Sequence, residues 1–396
     1  MISIKKLLAE AEDAEQTGGE KLKHIEHLED HPINDGAKGF DHAVGALEKV
    51  KHHILQNKND SDLTMKHDGS PSLVYGHHPD NGKFFVASKS AFNKSPKINY
   101  TDKDIEKNHG HAPGLVDKLK AALHHIPKIV PKKGVFQGDM LYSPGDVKHE
   151  NGKVKFTPNT ITYTAHDKSE EGKKIANSKI GLYTHTEYRG KDASSMNAHF
   201  DPDLSGFKHN ADVYHREPGH NTTNVNFTQA EKDAYEKHLK DAQDVHTKHG
   251  KQMYAPIDRV RDHMKSYIND TVRTGEKPSP EGLQHHITAN YTKAIDKVKT
   301  QKSKDAKAEE LKGHLNHVEA NKEHFKNVFK LHHHLQQAKN VLVHVLAKRT
   351  GGLGHTVSGE KVKPEGFVVN HEGQPTKLND RAEFNRLNFL KSQQRK

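Results

Sequence analysis

Residues 227–350 carry their apolar positions at helical spacing, while short β-like runs stand on both sides of them. A chain built this way must leave a sheet, form helices and return to strands. Upstream, "SLVYG", "KFFVAS", "GVFQGDMLY", "NTITYTA" and "KIGLYTHTEY" read as strands, interrupted by a helix on Leu115, Leu119, Leu123 and Ile126. Inside the helical stretch, Ile257, Val260, Met264, Ile268 and Thr271 keep the spacing. Leu311, Leu315, Val318, Phe325, Phe329, Leu335, Leu342 and Val345 continue it. Thr228 with Glu231 three residues on is a capping-box signature, and Pro278 and Pro280 separate two helices. Downstream, "GEKVKPEGFVVNHEGQPTKL" reads as a strand, a turn and a second strand. The expected class is α+β with largely antiparallel sheets. Its core would comprise residues 21–226 and 351–396, with 227–350 as a long inserted helical domain. Residues 1–20 are expected to form a separate amphipathic helix closed by Gly18 and Gly19.

The 396 residues suffice for two or three domains, but only 32% are hydrophobic and 29% are charged, so apolar burial must be concentrated at the periodic positions. The net charge of +10 makes polyanions plausible partners. With no cysteine, disulfides and thiolate metal sites are excluded. No apolar run approaches the ~18 residues that a bilayer crossing needs, so a soluble protein with no membrane partner is expected. Thirty-five histidines, many in pairs as in "KHHILQ", "GHHPD", "LHHIP" and "LHHHLQQ", show no zincin-type spacing. They read as residues of polar helix faces.

One short stretch bears on chemistry. In "LTMKHDGSPSLVYG" an apolar run ends in Lys66, directly before His67, Asp68 and Gly69. A lysine that attacks the α-phosphate of a nucleotide must lose its proton, and at an ordinary pKa only about one in a thousand is neutral near pH 7.4. Nearby cations, desolvation and a metal ion on the phosphates are the usual remedies. The chain supplies such parts in order: Lys66, then Lys89 in "VASKSAFNK", Asp139 in "VFQGDMLY", Tyr183 in "KIGLYTHTEY", Glu365 in "PEGFVV" and Lys377 in "PTKLND".

This succession resembles the covalent nucleotidyltransferase superfamily of polynucleotide ligases and RNA capping enzymes, whose KxDG motif carries the nucleotidylated lysine. The resemblance implies an ATP-grasp-like ligase core, ATP as nucleotide and Mg²⁺ as metal. Lys66 would be the nucleophile, and the Asp68-Gly69 turn would let the backbone approach the nucleotide closely. Asp139 stands where the family usually has glutamate, for ribose or metal, and Glu365 matches its metal-binding acid. Lys377 matches the lysine that contacts the α-phosphate. Tyr183 is the expected stacking residue, with Tyr188 as competitor, and Lys89 joins the nucleotide-binding set. Two departures stand out. Asn379 occupies the place of the last motif's second lysine, where Arg381 is a candidate substitute, and too few residues follow Lys377 for an appended OB domain. Both favour a minimal RNA-ligase-like enzyme, with RNA rather than DNA as acceptor. A scaffold without catalysis, binding DNA or capsid, is the alternative, and transfer to protein is a third option.

Beyond these motifs, "EHLEDHPINDGAKGF", "GKFFVASKSAFNKSPK", "FTPNTITY", "IGLYTHTEYRG" and "KLNDRAEFNRLNF" resemble segments of proteins from large tailed phages. The first residues, "MISIKKLLAEAEDA", resemble capsid-targeting peptides of internal head proteins, which are cut after glutamate in a Leu-x-Glu context. Here Leu8, Ala9 and Glu10 precede Ala11. The expected location is the host bacterial cytoplasm, with packaging in the phage head if that peptide is an address.

Overall fold

The computed structural model describes residues 25–58, 62–67, 69–93, 95–216, 218–383 and 385. The proposed N-terminal peptide and Asp68 lie outside the described residues. The helices are α1 (His31–Gln56), α2 (Asp102–His109), α3 (Pro113–His125), α4 (Glu170–Asn177), α5 (Gln229–His249), α6 (Arg261–Thr274), α7 (Pro280–Lys297), α8 (Gln301–Ala320) and α9 (Lys322–Leu346).

Three sheets are present among the described residues. The smallest joins β1 (Leu63–Lys66), β13 (Gly366–His371) and β14 (Gln374–Leu378), with β13 in the middle and both pairings antiparallel. The largest runs β10 (Val213–Arg216), β8 (Ile180–Arg189), β4 (Val135–Tyr142), β2 (Ser72–His77) and β3 (Phe84–Ala87), with β9 (Asn197–His199) also on β8. The third runs β12 (Glu360–Lys361), β11 (Gly354–Val357), β7 (Thr162–His166), β6 (Lys153–Phe156) and β5 (Lys148–Glu150). Only the β10–β8 pairing among them is parallel. The protein is therefore mixed α/β with several antiparallel sheets.

The helices begin and end where the local chemistry dictates. Thr228 and Glu231 close the capping box that starts α5. α6 stops at Gly275, whose φ of 78° an L side chain adopts only with strain. α1 carries Pro32 in its first turn and is kinked at Gly36, then buries Phe40, Ala43, Leu47, Val50 and Ile54 along one stripe. α5 and α9 run antiparallel, as the pairings of His249 with Asn327 and of Glu231 with Lys348 require.

Strands β1, β13 and β14 share one apolar core with α1 and the α5–α9 helices. Leu63, Met65, Phe367, Val369 and Leu378 pack there with Leu239, Met264, Phe325, Leu335 and Leu342. A second core lies between the large sheet and α3, built on Leu73, Tyr75, Leu119, Ile126 and Phe136. The helical residues thus share their core with the strand that ends in Lys66.

The histidines depart from the polar-face expectation. His31, His53, His67, His220, His332 and His355 are buried. An imidazole offers apolar ring area with two polar nitrogens, so it enters a core at least cost where a partner is at hand. His332 meets Asp30 at 3.0 Å, His31 meets the Thr376 hydroxyl at 3.0 Å, and His220 meets the Leu346 carbonyl.

Candidate functional site

Strand pairing brings distant residues of the KxDG, EG and terminal-lysine motifs to one place. Lys66 is opposite Gly366 in the β1–β13 register, so Glu365 falls beside it, and the Lys66 ammonium donates to the Glu365 carboxylate. Lys377 sits across β13, opposite Val368. His27 bridges to Lys377 in parallel and adds a fourth position to the edge. Alternation along β1 turns Leu63 and Met65 into the core and leaves Thr64 and Lys66 on the other face.

A cavity of about 490 Å³ opens in front of these groups. Lys66, Glu365, Lys377 and His27 line it, together with Asn379 and Arg381. The opposite wall is α6, which presents Ser266, Asn269 and Arg273, positions that fall on one helix face. The volume lies within the ~300–1,000 Å³ that small-molecule sites occupy.

Electrostatics set the charge states. Burial pushes the Lys377 ammonium down to about 8, and the nearby Lys66 charge pushes the same way. His27 is pushed down to about 3, by burial first and by Arg381 second, so it is neutral at pH 7. Two polar atoms at the cavity, His27 Nδ1 and Asn379 Oδ1, are buried with no hydrogen-bond partner among the described residues. Groups in that condition suit a polar ligand.

Arg381 is not loose. Its guanidinium grips both oxygens of Asp30, at 3.0 and 3.1 Å, and donates to Asn269 on α6. Asp30 also accepts from His332. Next to it, Lys339 pairs with Glu29 at 2.9 Å with neither side chain exposed, and donates to the Asn379 carbonyl. Burial alone would raise the Glu29 and Asp30 carboxyls. For Glu29 the Lys339 and Arg381 charges prevail, for Asp30 the His332 hydrogen bond and Arg381, and both groups stay below the ordinary carboxylate range. This buried network fixes the residues that follow Lys377.

Behind the nucleophile candidate, His67 is buried and accepts from Arg216 Nε at 2.9 Å, while Arg216 pairs with Glu171 at 2.6 Å. The residue after Lys66 is thereby anchored on the far side of the strand. Gly69 lies so close to β4 that a β-carbon there would stand 2.4 Å from Asp139 Cβ and 3.1 Å from the Met140 carbonyl. Asp139 is near enough to Lys66 to feel its charge. Burial would raise its carboxyl, and His185, 3.7 Å away, together with Lys66 holds it below the usual range.

The other sequence candidates fall elsewhere. Tyr183 is 3% exposed and sits in an apolar core with Tyr142, Phe156 and Tyr163, with its ring edge-on to His67, so it offers no open face for a base. Tyr188 is equally buried and donates to Gln137. Lys89 is exposed on the short helical turn that follows β3 and does not line the cavity. His27, Ser266, Asn269 and Arg273 line the cavity although their sequence surroundings gave no sign of it. Polar residues on an amphipathic helix look alike whether they face solvent or a ligand.

A model of a family of unknown function, DUF6267, matches residues 22–393. The chain belongs to that family. The match takes in the buried Glu29–Asp30 pair, the helices and every strand of the small sheet. No curated protein and no solved structure matches the chain. No described helix is long and apolar enough to cross a membrane.

Proposed function

We propose that the protein is an ATP-dependent nucleotidyltransferase of the polynucleotide-ligase type, which forms a covalent lysyl-AMP at Lys66. One observation carries the reading: Lys66, Glu365 and Lys377, picked out by motif order, line one cavity of nucleotide size, with Lys66 paired to Glu365 across 299 residues of sequence. The resemblance of the ordered motifs to that superfamily supports it.

In this reading Lys66 Nζ attacks the α-phosphorus of ATP. An N–P bond forms, the O–P bond to pyrophosphate breaks, and the lysine proton leaves to solvent or to a phosphate oxygen. Lys66 must part from Glu365 to reach phosphorus. Lys377 places a second cation beside the reaction, which favours the neutral form of Lys66. Binding of a phosphate would restore the full charge of Lys377. His27, Asn379 and α6 supply polar groups for the rest of the nucleotide. Glu365, an oxygen donor on the cavity wall, fits a hard cation bound mainly through substrate phosphates, with Asp139 as the nearby second carboxylate. These carboxylates would hold Mg²⁺, whose chemistry would be to neutralise phosphate charge. The acceptor in this reading is a polynucleotide 5′-phosphate, RNA in preference to DNA. Arg273 borders the cavity, and Lys277, four residues later, lines a cleft of about 400 Å³ with Lys330, where Glu281 and Glu323 pair with Lys322 and Lys326. In this reading Arg273, Lys277 and Lys330 make a basic path for such a strand. The protein would act in the host bacterial cytoplasm, with entry from the phage head if the first residues are an address.

The test is incubation with ATP labelled at the α-phosphate, with Mg²⁺. Label is expected on the wild type, located at Lys66 by mass spectrometry, and absent from Lys66→Ala. A wild type that takes no label across nucleotides and divalent metals overturns the reading and favours a DNA- or capsid-binding scaffold.

A further inference from the structure

A second cluster lies away from the cavity, on the pair α5 and α9. His238 and Asp241 are three residues apart on α5 and therefore share a helix face, and His334 meets them from α9. The donor atoms of the three all lie within 4.8 Å of one another. His238 Nδ1 and His334 Nδ1 face each other at 3.4 Å, and His334 Nδ1 is 3.7 Å from an Asp241 carboxylate oxygen.

Those separations put three metal-ligating atoms within reach of one ion. A direct hydrogen bond from a ring N–H spans ~2.7–3.2 Å, so 3.4 Å is long for one imidazole donating to the other. Two nitrogens held at the ~2.0–2.1 Å of Zn–N bonds, on a tetrahedral ion, stand ~3.3–3.4 Å apart. We propose that His238, Asp241 and His334 bind a borderline divalent transition ion of the Zn²⁺ class, as a cross-helix clip between α5 and α9. Two imidazoles and one carboxylate leave a fourth position for water. The same donors disfavour Mg²⁺ and Ca²⁺, which take oxygen ligands. Lys237 and Lys330 bear electrostatically on His334, and the Asp241 charge opposes them. The carboxylate is thus needed for charge as well as for coordination.

The consequence reaches the cavity. His332, two residues before His334 on α9, holds Asp30, and Lys339 on the same helix holds Glu29. Clipping α9 to α5 on its outer side fixes the helix whose inner side carries the buried charges. The site rests on its own geometry and stands whether or not Lys66 is a nucleophile.

Full-length protein stripped with EDTA and titrated with Co²⁺ is the experiment. One equivalent with the intense visible bands of four-coordinate Co²⁺ is expected, displaced by one equivalent of Zn²⁺ and accompanied by a rise in Tm. His334→Gln and Asp241→Asn, checked for helical content by circular dichroism, should each lose that first equivalent, and His238→Gln serves as the third variant. Only the faint bands of six-coordinate Co²⁺ in the wild type, or an undiminished first equivalent in folded variants, would overturn the assignment and point to adventitious binding by the other histidines.

Discussion

Lys339 reaches Glu29 across 2.9 Å with both side chains shut off from water, which ties α9 to the turn that precedes α1. Removing one partner of such a pair strands the other charge in the core. Lys339→Met is therefore expected to cost about 3–5 kcal/mol. The double variant Glu29→Gln with Lys339→Met should recover much of that loss. Urea denaturation of the two variants beside the wild type checks both statements.

Asp30 gives the same network a pH dependence. Its folded carboxyl lies below the ordinary value of 3.8, so the unfolded chain takes up the proton first as pH falls. The stabilisation is complete above about pH 4–5 and drains away below that. Asp30→Asn should be less stable than wild type at pH 7, with a gap that narrows as the acid limb is entered. Thermal denaturation at a series of pH values reads this gap.

Lys377 behaves in the opposite sense. Its folded pKa of about 8 stands below the ordinary 10.5, so the unfolded chain holds more protons between those values. Burial of the charged form costs stability up to about pH 8, and that cost is relieved as pH climbs toward 10.5. Lys377→Met should be more stable than wild type at pH 7, by on the order of 3 kcal/mol at most. The advantage should shrink by pH 10. In the labelling assay the same variant should lose about 100-fold or more in adduct formation.

Gly69 meets a tight steric limit. Gly69→Ala puts a methyl group 2.4 Å from Asp139 Cβ and 3.1 Å from the Met140 carbonyl, and neither can retreat as a flexible chain end would. We expect loss of labelling out of proportion to any fall in Tm, because the displaced segment adjoins Lys66. Equal labelling by Gly69→Ala and wild type would show that the turn can move without cost.

On the basic path, Arg273→Ala and Lys277→Ala should weaken polynucleotide binding uniformly across sequences. Each phosphate left without its cation should reduce the log–log salt slope by about 1. Fluorescence anisotropy at several salt concentrations gives both numbers, and unchanged slopes would remove Arg273 and Lys277 from the acceptor site.

Much of the strand order could be read because alternation and helical spacing differ so plainly. β2, β3, β4, β7, β8, β13 and β14 fall on the runs that the pattern singles out, and α5 starts at the Thr228 cap. The pairing of β1 with β13 could not be read, since Leu63 and Val369 say nothing locally about each other. The site divides along the same line. Lys66, Glu365 and Lys377 stand in motifs with recognisable neighbours. His27 and Asn269 reach the cavity only through tertiary packing, which no short stretch encodes. Tyr183 shows the converse, because an aromatic residue in a strand has the same pattern whether it stacks on a ligand or fills a core. His332 was hidden in a triplet where one ring faces Asp30 and another faces His238.

The small sheet also sets a timetable for synthesis. β1 leaves the ribosome long before β13, its ladder partner in that sheet, has been translated. Until then Leu63 and Met65 have an apolar edge with no strand to receive it, and the growing polypeptide must shelter that edge through the whole helical stretch. Premature termination anywhere before Gly366 would therefore release a protein with an open, sticky strand and only one of the two cavity lysines.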